Sequence, residues 1–179
     1  MASQIVLLRG VNLASRNRIA MPELREALAG AGFDDVRTYV QSGNVVLSTK
    51  LKPAETVRKV ERLIREKFGL EIDVVVRTRA ELARVVKSNP LGDVADDPKR
   101  YQVSFLAKKL DGDSMRKLEA AAVESERVVF SGREIYAWHP AGVARSRLWA
   151  ALAGRSLGVS ATARNWTTVT TLLAMAEES

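Results

Sequence analysis

The first strand of the chain is predicted by the apolar run Ile5-Val6-Leu7-Leu8, which decides how the first half of the chain is organised. An uninterrupted apolar run of this length is typical of a strand that lies inside a sheet. A polar, basic loop follows over residues 10–18. Pro22 then suits the first turn of a helix, which we expect to end near Gly30.

A hairpin and a second helix complete the first half. Residues 36–40 are rich in strand-forming residues, Ser42-Gly43-Asn44 is a turn pattern, and Val45-Val46-Leu47 is the return strand. Pro53 opens an amphipathic helix, and residues 72–76 predict another buried strand. The order is therefore β-α-β-β-α-β, which is the ferredoxin-like unit.

The second half repeats much of this pattern after a linker. Thr78 and Glu81 form a capping box for a connecting helix, and residues 88–100 have the Pro, Gly and Asp content of a linker. The segment Gln41–Leu47 aligns with Phe130–Tyr136, which suggests a duplicated unit, although two copies of so common a motif also arise without duplication. The predicted elements after the linker are a strand at 101–106, a helix capped by Asp113 or Ser114, strands at 127–130 and 134–138, a helix at 146–157, an extended piece at 159–163 and a helix at about 167–177.

The predicted fold class is α+β, with two ferredoxin-like (βαββαβ-type) units. We expect antiparallel sheets with helices packed on one face, and a second unit that is modified at its C-terminus. The predicted domains are residues 1–87, comprising the first unit and the connecting helix, then a linker over 88–100, then a second unit with C-terminal helices over 101–179.

Composition excludes several classes of site. The 179 residues contain no cysteine, so a disulfide scaffold, a thiolate metal site and a cysteine nucleophile are all excluded. The single histidine, His139, rules out a multi-histidine metal site. As a general base it needs a partner, and the sequence names none. We therefore predict no metal and no cofactor. The net charge of +7 favours anionic partners.

The N-terminal apolar run is too short for a signal peptide and has no basic segment ahead of it. Elsewhere, no apolar stretch approaches the ~20 residues that a spanning helix needs. We therefore expect a cytoplasmic protein that is not inserted in a membrane. The oligomeric state is left open.

Polar side chains follow the first strand and also occupy the first hairpin turn. A right-handed crossover makes the first two strands parallel, and the third strand returns antiparallel between them. The end of the first strand and the hairpin turn then meet at one sheet edge, where loops commonly carry function. Guanidinium, amide and hydroxyl groups suit a phosphate, carboxylate or sugar, although such residues also simply turn the chain. The residues expected at this edge are Arg9, Asn12, Arg16, Arg18, Gln41, Ser42 and Asn44.

A second basic cluster lies in the C-terminal part of the chain. Arg164-Asn165 stands just ahead of the last predicted helix, and a helix N-terminus beside a basic residue attracts anions. Arg147 stands at the start of the preceding helix. Trp149 and Trp166 lie among apolar residues at helical spacing, which favours a role in the core over stacking on nucleic-acid bases.

Five segments carry a family resemblance: Leu7–Asn12, Asn17–Met21, Arg37–Val45, Ser146–Leu148 and Thr162–Val169. Together they resemble a bacterial family known as domain of unknown function 1697, and the resemblance covers essentially the whole chain. It implies an α+β fold of ferredoxin-like units. It implies no accepted activity, no cofactor and no catalytic residue. If the two halves bring both polar clusters together, these clusters line one basic cleft.

Three functions remain open. The leading hypothesis is a protein that binds a phosphorylated or otherwise anionic ligand, a nucleotide or a nucleic acid, in a basic polar cleft between the two halves. The second is an enzyme that acts on a small anionic substrate without metal, with arginines stabilising negative charge. The third is an interaction module whose polar motifs are structural. The candidate ligand-binding residues are Arg9, Asn12, Arg18, Gln41, Ser42, Asn44, Arg147, Arg164 and Asn165.

Overall fold

The computed structural model describes residues 1–154 and 157–178 of the chain. Within these ranges the chain forms two four-stranded antiparallel sheets and six helices. By their internal contacts, residues Met1–Arg84 and the segment that begins at Thr171 form a first unit, and Val85–Thr170 form a second unit. The α+β class and the two similar units confirm the predicted fold.

The first unit has the predicted β-α-β-β-α-β order. Its sheet has the strand order β2-β3-β1-β4, so β3 lies between β1 and β2 as the topology requires. Both neighbours of β1 run antiparallel to it. The elements are β1 (Ala2–Leu8), α1 (Met21–Gly30), β2 (Asp34–Tyr39), β3 (Asn44–Thr49), α2 (Pro53–Phe68), β4 (Val74–Thr78) and α3 (Arg79–Ser88).

Strand β1 is the centre of this sheet and is fully buried over Ile5–Leu8. Its side chains Val6 and Leu8 share one core with Leu24 of α1 and Ile64 of α2. These two helices therefore pack on the same face of the sheet. Burying a Val or Leu side chain contributes roughly 1.5–3 kcal/mol, so the apolar run stabilises the unit from its centre outward.

The starts of α3 and β4 can be compared with the sequence predictions. Thr78 and Glu81 form the predicted capping box at the start of α3, because each side chain accepts a hydrogen bond from the other's backbone N–H, at 2.8 and 3.1 Å. Strand β4 begins at Val74, two residues later than predicted. Ile72 is buried in the core, but it precedes the residues that pair with β1.

The second unit has the same topology, with the strand order β6-β7-β5-β8. Leu106 and Ile135 of its sheet share a core with Leu118 of α4 and Leu148 of α5. Helix α5 has 7 residues, whereas α2, which stands at the corresponding place in the order of the first unit, has 16. The elements are β5 (Tyr101–Leu106), α4 (Gly112–Ala121), β6 (Arg127–Ser131), β7 (Glu134–Trp138), α5 (Arg147–Ala153), β8 (Ala161–Asn165) and α6 (Trp166–Glu177).

The predictions for three elements of the second half were wrong in detail. Helix α4 is capped by Asp111, whose carboxylate accepts from the Ser114 N–H at 2.7 Å, and not by Asp113 or Ser114. Helix α5 ends at Ala153, and residues 155–156 of the longer predicted helix lie outside the described residues. The extended piece predicted at 159–163 is instead strand β8, Ala161–Asn165, because those residues pair with β5.

The predicted domain boundaries remain a prediction. Helix α3 spans the division between the two units at Arg84 and Val85, and the chain from Thr171 onward groups with the first unit. Residues 89–100, within the predicted linker, contain turns but no strand or helix. Among the described residues, no helix combines the length and the apolar character needed to cross a bilayer.

We expect Gly43→Ala to destabilise the protein more than Gly132→Ala. Both glycines lie in hairpin turns at positive φ (79° and 58°), so alanine costs roughly 1–2 kcal/mol at either position. At Gly43 a Cβ atom would also lie 2.7 Å from the Leu8 Cβ, whereas at Gly132 it would meet no atom within 4 Å. Displacing Leu8 adds about 1–3 kcal/mol.

Urea unfolding followed by circular dichroism measures both losses, with Gly132→Ala as the control for backbone strain alone. Equal losses for the two variants would contradict a steric restriction at Gly43.

Candidate functional site

The loop after β1 and the first hairpin turn lie together at one edge of the first sheet. The name rim is used here for residues Arg9–Arg18 and Val40–Gly43. Asn12 Nδ2 joins the two segments by donating to the Gln41 carbonyl at 2.6 Å. Leu8, the last residue of β1, also donates its N–H to the Gly43 carbonyl at 2.9 Å. The structure thus brings together two stretches about thirty residues apart in sequence.

Asn12 holds the rim in shape. Besides Gln41, its Nδ2 donates to the Ile19 carbonyl at 2.9 Å, and its Oδ1 accepts from the Ile19 N–H at 2.9 Å. Its φ of 57° lies in the left-handed region, which Asn tolerates better than most residues. Asn17 adds one bond, from its Nδ2 to the Gly10 carbonyl at 3.1 Å. The side-chain amide of Asn12 therefore stabilises the loop, because both its Nδ2 and its Oδ1 are hydrogen-bonded to backbone groups.

The positive side chains of the rim are presented differently. Arg9 is mostly buried, and its guanidinium lies 3.9 Å from the Asp73 carboxylate, which partly neutralises it. Arg16 and Arg18 are exposed. Over the residues that the structure describes, neither of these two guanidiniums has a hydrogen-bond or ion-pair partner. The rim therefore offers two free cations on a loop whose backbone is fixed.

Two further predicted residues, Gln41 and Ser42, form the exposed tip of the hairpin turn. Asn44 does not join them, since it is only 1 % exposed and its Nδ2 donates to the Tyr39 carbonyl at 3.2 Å. Asn44 thus links the two ends of the hairpin turn, between the end of β2 and the start of β3. Of the residues predicted at this edge, the exposed ones are Arg16, Arg18, Gln41 and Ser42.

Two residues of the C-terminal motif, Arg164 and Asn165, form hydrogen bonds within the second unit. Arg164 lies inside β8, where its Nη1 donates to Thr162 Oγ1 at 2.7 Å and to the Ala163 carbonyl at 2.8 Å. Burial lowers the pKa of Arg164 to about 10, which leaves it charged at neutral pH. Asn165 caps α6, because its Oδ1 accepts from the Thr168 N–H at 2.9 Å. Arg164 is therefore a buried strand residue, and the side chain of Asn165 is used as the cap of α6.

Arg147 is the exposed first residue of α5, and it has no hydrogen-bond or ion-pair partner among the described residues. The two tryptophans nearby make aromatic contacts within the second unit. Trp166 stacks on Tyr101 with ring centroids 4.7 Å apart, and Trp149 meets His139 edge-on at 5.9 Å.

The second unit also contains a buried polar cluster that the sequence analysis missed. Glu126 Oε2 lies 2.6 Å from His139 Nδ1 and accepts from Ser146 Oγ at 2.6 Å. The hydroxyl of Ser146 in turn caps α5 by accepting from the Trp149 N–H at 3.0 Å. His139 is fully buried and Glu126 is 7 % exposed. The partner that the sequence did not name for His139 is therefore Glu126.

Burial alone raises the pKa of Glu126, but hydrogen bonds from Ser146, His139 and the Val123 N–H outweigh it, so the pKa lies below its usual 4.5. Glu126 is therefore ionised at neutral pH. Because an ionised carboxylate oxygen only accepts, we assign the proton of the short contact to His139 Nδ1.

The contact between Glu126 and His139 can be predicted from the strand register of the second hairpin. Ser131 pairs with Glu134 and Arg127 with Trp138, so one further step places Glu126 opposite His139. Extending the predicted strands by one residue at each end is enough to find the contact. Among the described residues, no group of three or more His, Asp or Glu side chains is arranged to hold a metal ion.

We expect Asn12→Gly to loosen the rim more than Asn17→Gly. Glycine adopts positive φ without strain and adds a similar entropy to the unfolded chain at either position, so the two variants differ in the side-chain hydrogen bonds that they lose. Asn12 loses three bonds and Asn17 loses one, at about 1 kcal/mol each.

Amide hydrogen exchange at Ile19, whose N–H is bonded to Asn12, measures the effect locally. Exchange at Ile19 should accelerate in Asn12→Gly and stay slow in Asn17→Gly. The same rate in both variants would show that Asn12 does not hold the rim.

We expect Glu126→Gln to destabilise the protein at neutral pH and less so in acid. The pKa of Glu126 is lowered in the folded protein, so its ionised form adds stability above pH 4.5, and this is lost as the pH falls below that value. The difference in free energy of unfolding between wild type and variant should be roughly 1–3 kcal/mol at neutral pH and narrow toward about pH 3.

Denaturant unfolding at a series of pH values checks this, with Glu124→Gln, an exposed neighbour, as the control. If the difference in free energy of unfolding between the wild type and Glu126→Gln is the same at every pH, Glu126 is not ionised as assigned.

Comparisons with known proteins agree with this fold. A solved structure described as that of the conserved bacterial protein SP0830 from Streptococcus pneumoniae matches with a TM-score of 0.80 and 21 % sequence identity, covering 98 % of each chain. At this identity the likeness shows the fold alone. No curated protein is significantly similar to the chain. A family model described as "Protein of unknown function (DUF1697)" matches residues 1–136, so the chain belongs to that family, as the sequence motifs indicated.

Proposed function

We propose that this protein binds an anionic, phosphate-bearing ligand at the rim of its first unit. The observation that carries the proposal is the pair of exposed guanidiniums of Arg16 and Arg18, which have no partner among the described residues. Arginine presents several N–H donors in a planar fork that matches the oxygens of a phosphate. The exposed tip residues Gln41 and Ser42 add an amide and a hydroxyl at the same edge.

The exposure of these arginines favours a ligand with several phosphates. A single ion pair in water contributes only about 0–1 kcal/mol, so one phosphate on one exposed arginine binds weakly. A nucleotide or a single-stranded nucleic acid meets two or more cations at once, and the net charge of +7 attracts it from a distance. A cytoplasmic location, where such ligands are abundant, belongs to this proposal.

The backbone of the rim supports the same proposal. Asn12 joins the loop to the hairpin turn through its bonds to Ile19 and Gln41, so the two guanidiniums project from a fixed base. Less ordering of the protein is then needed when an anion binds, which preserves more of the interaction free energy.

We expect the double variant Arg16→Ala/Arg18→Ala to bind a fluorescein-labelled single-stranded oligonucleotide at least tenfold more weakly than the wild type. The slope of log K against log salt concentration should fall by about two, because two phosphate contacts are removed. Fluorescence anisotropy at several salt concentrations measures both quantities, with adenosine triphosphate as the competitor.

The control is Arg58→Ala/Arg62→Ala, which removes the same charge from exposed positions on α2. This control should retain nearly wild-type affinity. If both double variants weaken binding equally, the protein attracts polyanions by net charge alone and the rim is not the site.

A further inference from the structure

A cavity of about 450 Å³ opens on the second unit, between the segment that precedes β6 and the loop that precedes α5. Small-molecule sites in proteins commonly fall between about 300 and 1,000 Å³. The side chains of Val123, Ala141 and Ala144 give this cavity apolar walls. Its polar wall includes Glu126 and Ser146, two members of the buried cluster described above.

The cavity also brings together two opposite charges that do not neutralise each other. Glu126 is ionised, and Arg145 lines the same space. Among the described residues, Arg145 has no ion-pair or hydrogen-bond partner, and the carboxylate of Glu126 is bonded to His139 and Ser146 instead. A positive and a negative group therefore line the same cavity without forming an ion pair with each other.

The carboxylate of Glu126 has capacity for one more donor. A carboxylate offers about four acceptor positions. His139 and Ser146 occupy two of them on Oε2, and the Val123 N–H occupies one on Oε1 at 3.2 Å. The remaining position on Oε1 suits an N–H donor from a ligand, and an ammonium group best, since the carboxylate is charged.

We propose that this cavity binds a small zwitterion with an apolar body, in the manner of a free aliphatic amino acid. Its ammonium group is held by Glu126, its carboxylate by the guanidinium of Arg145, and its apolar part by Val123, Ala141 and Ala144. His139 and Ser146 keep Glu126 ionised and in position, so they are positioning residues. This site is separate from the rim, and it stands whether or not the rim binds an anion.

The test uses three probes that differ in one charge each: L-leucine, N-acetyl-L-leucine without the ammonium group, and L-leucinamide without the carboxylate. Calorimetric titration of the full-length protein measures affinity, and amide chemical shifts of Gly142 and Ser146 report whether binding occurs in the cavity. We expect saturable binding of L-leucine with a Kd of about 1 mM or below, and at least tenfold weaker binding of the other two probes.

Two variants identify the residues without disturbing the buried cluster. Arg145→Ala should weaken L-leucine at least tenfold and leave the affinity for L-leucinamide unchanged, because the lost partner is absent from that probe. Arg147→Ala removes an exposed charge two residues away and outside the cavity wall, and should bind L-leucine like the wild type. Ala144→Leu, which fills the cavity, should abolish binding.

The proposal is overturned if L-leucine shows no saturable binding at concentrations on the order of 10 mM. It is equally overturned if all three probes bind alike, or if Arg147→Ala weakens L-leucine as much as Arg145→Ala does.

Discussion

The pairing register of the antiparallel strands is the constraint on which both candidate sites depend. In the first unit Leu7 lies opposite Asn44, so the hairpin turn ends beside the loop that follows β1. In the second unit Arg127 lies opposite Trp138, so the residues just beyond that pair, Glu126 and His139, meet. A shift of one residue would move every side chain of the shifted strand to the opposite face of the sheet. It would break the Leu8–Gly43 hydrogen bond of the first unit and the Glu126–His139 contact of the second.

The elements that the sequence predicted best are those with a strong pattern of their own. Strands β5 and β7 match the predictions to the residue, because aromatic and apolar residues alternate with Gln102 and Ser104 in the first and turn residues bound the second. Strand β8 was misplaced because Val159 has a higher strand propensity than Ala161–Asn165, yet pairing with β5 selects the latter. An element that depends on a distant partner is not visible in its own residues.

The placement of the site residues was predictable, but their hydrogen bonding was not. The predicted topology put the loop and the hairpin turn at one edge of the sheet, and the structure places them there. The sequence does not show which side-chain amides already have hydrogen-bond partners. The side chains of Asn12, Asn44 and Asn165 each form a hydrogen bond with the backbone, as is common for asparagine in turns and helix caps. Polarity alone marks a residue as unsuited to an apolar core, whereas only the neighbouring backbone shows whether its hydrogen bonds are already used.

Val40 shows that the hairpin turn of the rim has a strained backbone. Its φ of 51° is costly for a β-branched residue, and its side chain is 52 % exposed, so little packing offsets that cost. The bond from Asn12 to Gln41 and the tight approach of Gly43 to Leu8 hold the turn on either side of the strain. The exposed tip of the turn is therefore held beside the loop that carries Arg16 and Arg18, because hydrogen bonds tie the turn to that loop and to the end of β1.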